Sequence, residues 1–237
     1  MARLGFNVES IALFRESGGV AGADPVHAAF LAELGGADAI VCPIHEDFRP
    51  LTEKDVRLLK TLAKIRFHLR IAASDKLVGA ALSIRPDVVI LLPKGKADST
   101  PNGGLNLGTR EDEIGKTIQE IQSQKIVVGC FVEPILQQIK AAAGLGADCI
   151  ELHAGGYAAA QTREEREEIL ENIFAGALAA SKLNLGVGIS GGIDFQNASV
   201  FAGMEKVEQV QAGRAIVGRA LWIGMEQAVR DMAALVH

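Results

Sequence analysis

Eight short apolar runs, separated by longer amphipathic segments, constrain this chain more than any other feature of its sequence. The runs occupy residues 4–8, 39–42, 67–72, 88–92, 126–131, 149–152, 185–189 and 207–210. Their length and branched aliphatic content suit strands covered on both faces. Apolar positions recur at helical spacing over residues 25–34, 53–63, 75–84, 111–122, 134–143, 163–182, 196–203 and 224–236. Thr52 followed by Asp55, and Asp75 before an apolar-periodic run, supply helix starts, while Gly35-Gly36 and the glycines of 144–146 supply stops. Strand then helix, repeated about eight times, predicts an α/β fold, a single (β/α)8 TIM barrel over residues 1–237. The competing open, doubly wound sheet would normally carry a Gly-rich turn after its first strand, and residues 8–12 contain no glycine.

A barrel interior is filled by small and branched side chains, and the composition supplies them: 49% of residues are hydrophobic but only 5% aromatic. A formal net charge of -5 offers no long-range attraction to nucleic acid or to an anionic membrane surface, so neither partner is expected. No apolar stretch approaches the roughly 20 residues that span a bilayer, and the first residues lack a secretory pattern. Cys42, Cys130 and Cys149 are odd in number and lie in apolar runs. They read as buried thiols of a reducing compartment, and a cytoplasmic location is expected.

Active sites of such barrels lie where the strands end at their C-terminal side, so polar residues there carry the most weight. Period-two spacing places Asn7 with Glu9, Pro43 with His45, His68 with Arg70, and Glu151 with His153 on common faces. Glu151 ends an otherwise apolar strand and therefore needs a partner, and Arg70, placed alike on another strand, is the expected counter-charge. Two glycine clusters, Ser190-Gly191-Gly192 after the seventh strand and Gly213-Arg214 after the eighth, stand where barrels commonly bind phosphate. Glycine lets the backbone approach an anion, and Arg214 would add a charged fork. Residues 93–108, rich in Gly, Pro, Ser and Asn, and residues 155–162 form two further rim loops. No zinc-ligand spacing occurs, so no metal is expected.

Several motifs in series resemble the pyridoxine 5'-phosphate synthase family. They are Gly5-Phe6-Asn7-Val8-Glu9-Ser10, Asp24-Pro25-Val26-His27, Leu92-Pro93 leading into Gly103-Gly104-Leu105, Ile150-Glu151-Leu152-His153 with Gly156-Tyr157-Ala158, and Gly213-Arg214-Ala215-Ile216-Val217-Gly218-Arg219. The resemblance runs along essentially the whole chain. It implies a (β/α)8 barrel, an oligomer of identical subunits, no cofactor, and condensation of 1-deoxy-D-xylulose 5-phosphate with 3-amino-2-oxopropyl phosphate. It also implies that Asn7, Thr100, Glu151, Gly192 and Gly213 contact substrate or transition state. The family's acid/base groups, a His after the second strand, a Glu on the third and a His after the seventh, correspond here to Pro43, Arg70 and Gly191. Proline and glycine carry no titratable side chain, and arginine stays protonated near neutral pH. The family's Asn-x-Asp-His is here Asn7-Val8-Glu9-Ser10, while His45, Pro50, Gly18 and Arg214 replace an Arg, a His, an Arg and a His.

Residues and resemblance together predict a diverged enzyme that binds a small phosphorylated metabolite and performs condensation or carbonyl chemistry. Glu151, His45, Glu9 and His153 are its expected acid/base groups. Asn7, Arg70, Thr100, Gly192, Gly213 and Arg214 are its expected binding groups. A non-catalytic phosphate-ligand binding or regulatory homologue, and a retained pyridoxine 5'-phosphate synthase of vitamin B6 biosynthesis, are the alternatives.

Overall fold

The strands are β1 (Arg3–Asn7), β2 (Ala39–Pro43), β3 (Arg66–Ala72), β4 (Val88–Leu92), β5 (Val127–Val132), β6 (Cys149–His153), β7 (Gly186–Ser190) and β8 (Gln209–Ala212). All neighbouring pairs are parallel, and β8 closes on β1, giving the closed barrel β1 to β8 in sequence order. The structure is a computed structural model that describes residues 1–18, 22–94, 103–109 and 111–237. Around the barrel lie α1 (Glu9–Gly18), α2 (Pro25–Leu34), α3 (Glu53–Leu62), α4 (Asp75–Ile84), α5 (Glu111–Gln122), α6 (Leu136–Gly144), α7 (Gly155–Ala159), α8 (Arg163–Lys182), α9 (Ala198–Ala202), α10 (Arg214–Ile223) and α11 (Met225–Val236). No helix of the described residues is long and apolar enough to cross a membrane.

The start signals act as their chemistry requires. Thr52 and Asp55 form a reciprocal capping box on α3, Thr162 and Glu165 do the same on α8, and the Asp24 carboxylate accepts from the Val26 amide. Asp75 occupies the first turn of α4 rather than its cap, which is Ser74. Gly36, at φ 98°, takes the left-handed turn that ends α2.

Three helices differ from expectation. Residues 9–18 form α1 although only Ile11 and Ala12 of it are buried, too little for a readable apolar stripe. The rim loop expected at 155–162 opens with the short helix α7. Residues 214–223 form α10, whose buried contribution is Ile216 alone. The last strand is displaced from 207–210 to Gln209–Ala212 because its alternate residues, Gln209 and Gln211, are polar and point inward, which breaks the apolar run.

The barrel separates two environments. Outward-facing residues such as Leu4, Phe6, Leu69, Ile71, Ile150 and Leu152 pack with the helices into one large apolar core. Inside, only Val88, Ile90, Leu92 and Phe131 form an apolar cluster. The rest of the lumen contains Arg3, Arg66, His68, Arg70, Glu151, Gln209 and Gln211. Aliphatic side chains were expected to fill the interior, but most of them lie in the layer between strands and helices.

Candidate functional site

Arg70, on the seven-residue strand β3, reaches across the lumen and meets β6. Its Nη2 donates to Glu151 Oε1 at 2.6 Å and lies 3.5 Å from Ser190 Oγ. Ser190 Oγ also donates to Glu151 Oε1, and Gln211 Nε2 donates to Oε2. Glu151 is 1% exposed and both of its carboxylate oxygens are engaged. The carboxylate is thereby an anchor for Arg70 rather than a group presented to solvent. The Arg70 guanidinium sits 5.0 Å from the centroid of the Phe131 ring, which fixes its plane. Its Nε is buried without a partner, as is Gln211 Oε1. An unmade bond of this kind costs about 1–3 kcal/mol, so these two atoms mark an incomplete polar centre.

Above this centre, at the C-terminal end of the barrel, opens a cavity of about 160 Å³. Its wall includes Asn7, Glu9, Arg70, Phe131, Ser190, Gly191, Gly192, Gln211, Gly213 and Arg214. Gly191 and Gly192 have φ of 94° and 69°, a backbone path that only glycine follows without strain. The loop is held from behind, since Asn197 Nδ2 donates to the Gly192 carbonyl at 2.9 Å and Asn197 Oδ1 accepts from the Asp194 amide. A side chain at Gly213 would meet the Asn7 carbonyl oxygen at 2.9 Å. The amides of Gly191, Gly192 and Gly213 make no hydrogen bond to any described residue. Gly213 also precedes α10, whose start has no side-chain cap. Unpaired amides and the dipole of a helix start together favour an oxyanion.

Glu9 belongs to the first turn of α1, not to an extension of β1, and its amide is capped by Asn7 Oδ1 at 2.9 Å. The period-two pairing of Asn7 with Glu9 is thus overturned, although both line the cavity. His45 lies in the loop after β2, with Nε2 3.0 Å from Glu9 Oε1. His68 lies one layer deeper than Arg70, toward the other end of the barrel. It borders a chamber of about 180 Å³ shared with Arg3, Arg66, Cys149, Gln209 and Gln211. Burial pushes its pKa down to about 4, and its Nε2 has no partner. His153 is absent from the cavity wall that Glu9 and Arg70 share. Its Nδ1 bonds Glu133 Oε1 at 2.8 Å, its ring stacks edge-on to Phe131, and it borders a separate groove with Ile135, Leu136 and Ile169. The four expected acid/base residues are therefore distributed: Glu9 on the cavity wall with His45 bonded to it from outside that wall, Glu151 beneath the cavity, and His153 apart from it. Thr100 lies outside the described residues.

The sequence reading missed Glu133, Gln211 and Phe131. Glu133 follows directly on β5, so the strand-end rule applied to it as well. Its carboxylate accepts from His153 and from the Gly104 amide at 2.7 Å. The His153 bond, opposed by burial and aided by Gly104, lowers its pKa. Cys42, Cys130 and Cys149 are free; the first two are buried, and Cys149 is partly accessible from the deeper chamber. No group of three or more His, Cys, Asp or Glu suited to a metal ion occurs among the described residues.

Residues 4–237 match the family described as pyridoxal phosphate biosynthesis protein PdxJ. A pyridoxine 5'-phosphate synthase of Geotalea daltonii is 39% identical over 236 residues, covering 100% of this chain and 99% of that protein. One from Syntrophotalea carbinolica is 38% identical over 236 residues with the same coverage. Among solved structures, KGPDC from Streptococcus mutans superposes with a TM-score of 0.67 at 13% identity, over 100% of this chain and 97% of that one. Thiamine phosphate pyrophosphorylase from Pyrococcus furiosus superposes at 0.64 with 17% identity, over 99% and 95%. At such identities the superpositions establish the fold alone.

Proposed function

This chain belongs to the PdxJ family, and from that premise we propose that it is a diverged member which binds a small phosphorylated metabolite at the C-terminal mouth of its barrel. The observation that carries the reading is the set of unpaired amides at Gly191, Gly192 and Gly213, which share one cavity with Arg70, Arg214 and Glu9. The phosphate rests on the Gly192 and Gly213 amides, with Arg214 as a charged neighbour and Asn7 beside them. Thr100 belongs to the same set of binding residues.

Condensation or carbonyl chemistry requires a group that moves protons, and Glu9 with His45 is the pair available at the cavity. The two side chains, 3.0 Å apart, are within reach for proton transfer. Glu151 supports this chemistry through Arg70. His153, held by Glu133, acts from the rim. The working unit is a homo-oligomer, a reading supported by Leu221 and Trp222, which are 68% and 86% exposed at the end of α10.

Pro43, Arg70 and Gly191 stand where the resemblance implies acid/base groups. Each such group typically contributes about a hundredfold to ten-thousandfold in rate. Purified protein given 1-deoxy-D-xylulose 5-phosphate and 3-amino-2-oxopropyl phosphate is therefore expected to form negligible pyridoxine 5'-phosphate. Turnover comparable to that of the Geotalea daltonii synthase, assayed alongside, would establish the retained-synthase reading instead. A binding-only homologue is favoured by one observation, the complete engagement of Glu151. The two remaining readings separate on a screen of phosphorylated metabolites for thermal stabilisation followed by turnover assays of the hits. Ligands that stabilise but are never converted, whether or not His45 is present, identify the binding protein.

A further inference from the structure

Arg70 carries more donors than its surroundings use. Nη2 serves Glu151 and Ser190, but Nε is buried and unpartnered and Nη1 bonds no described residue. The guanidinium is also immobilised before any ligand arrives, by Glu151 behind it and the Phe131 ring against its face. Glu151 Oε1 and Ser190 Oγ are bonded to each other and share one N–H of Nη2, so its second N–H remains, parallel to that of Nε or of Nη1, and this edge is suited to gripping a planar oxyanion through two parallel N–H bonds. Of the phosphate-binding amides, those of Gly191 and Gly192 directly follow Ser190, whose Oγ is 3.5 Å from Arg70 Nη2, and that of Gly213 lines the same cavity. One cavity therefore holds two anion receptors a few bonds apart. Glu9, the carboxylate on the wall, is occupied by His45.

Resting on the reading that Gly192 and Gly213 hold a phosphate, we propose that the ligand of this cavity is a short phosphorylated carboxylic acid, with its carboxylate received by Arg70. The glycine loops hold the phosphate, and the guanidinium beneath them holds the acid. The carbon atoms between the two anions then lie on the side of the cavity lined by Glu9, whose carboxylate His45 holds. A substrate with a neutral end in place of the carboxylate leaves the Arg70 donors unmet.

The test measures binding of inorganic phosphate, glycerol 3-phosphate and 3-phosphoglycerate by calorimetry and thermal shift. The last two differ in having an alcohol or a carboxylate at one end. Wild-type protein is expected to bind all three, and 3-phosphoglycerate at least tenfold more tightly than glycerol 3-phosphate. Removing Arg70 alone leaves Glu151 buried and unpaired, so the variant to use is the double replacement Arg70→Met/Glu151→Leu, with Arg70→Lys beside it. In the double variant the tenfold preference is expected to vanish while glycerol 3-phosphate still binds at near wild-type affinity. Arg70→Lys, which keeps the charge but loses the fork, is expected to retain only part of the preference. Equal binding of the two organic phosphates by wild type overturns the carboxylate proposal and leaves the phosphate site standing. Loss of glycerol 3-phosphate along with 3-phosphoglycerate in the double variant also overturns it, since Arg70 would then serve the phosphate. Failure of all three probes to bind wild type removes the phosphate site itself.

Discussion

The two faces of the barrel wall are built on opposite principles. Outside, strands and helices are joined by aliphatic side chains, and each contact contributes through burial alone. Inside, much of the lumen is a polar lattice in which Arg70, Glu151, Ser190 and Gln211 depend on one another. A side chain lost from the outer layer leaves a cavity that its neighbours partly fill. A group lost from the lumen leaves a partner with nothing to bond. The outer layer should therefore yield gradually and additively, whereas the lumen should respond according to which combinations are changed.

The largest effect should come from Glu151→Ala, which strands a buried arginine and is expected to cost about 3–5 kcal/mol in chemical denaturation. The paired replacement Arg70→Met/Glu151→Leu should recover most of that loss. If the double variant were as unstable as the single one, the lumen would behave like the outer layer and the contrast would fail. Leu152→Ala, on the neighbouring outward-facing position of β6, should cost about 2–5 kcal/mol. No second replacement on another strand should rescue it.

The lumen also has a pH signature that the aliphatic layer lacks. His68 is held neutral, with its pKa pushed down to about 4 by burial, against an ordinary value of 6.5. Between those values the unfolded chain binds a proton that the folded protein refuses. Stability should therefore fall as pH drops from about 6.5 toward 4, by on the order of 3 kcal/mol in total. Denaturant midpoints across that range, for wild type and His68→Gln, measure the contribution directly; an unchanged slope in the variant would exclude His68 as its source. The smallest effect belongs to the periphery. Thr52→Ala removes one half of the α3 capping box and should cost about 1 kcal/mol, independent of ligand.

The same contrast explains what the sequence made legible. The outer layer announces itself through runs such as 88–92 and 149–152, because a strand covered by helices must be apolar whatever the protein does. Placing Glu151 at the end of such a run was enough to anticipate Arg70 as its partner. The Arg70–Glu151 bond lies near the middle of the lumen, where one charge cannot stand alone. Gln209 and Gln211 blurred β8 because a polar lumen reverses the pattern on which strand recognition relies. His45 and His153 show the remaining limit. Spacing of two residues defines a face only while the chain stays extended. His45 lies beyond the end of β2, and His153, though still in β6, turns to Glu133 just past the end of the neighbouring strand. Glu133 fell under the strand-end rule, but its pairing with His153 needed the β5–β6 register, in which Phe131 pairs with Glu151.

One further consequence follows from α10, which starts without a cap after the cavity-lining Gly213 and ends beside the exposed Trp222. A helix of this size extends about 15 Å. An anion at the mouth would finish the first turn of this rod, and its far tip carries the most prominent aromatic group on the protein. The indole of Trp222, on the helix that would cap such an anion, is therefore the natural place to look for an intrinsic fluorescence change when ligand is added.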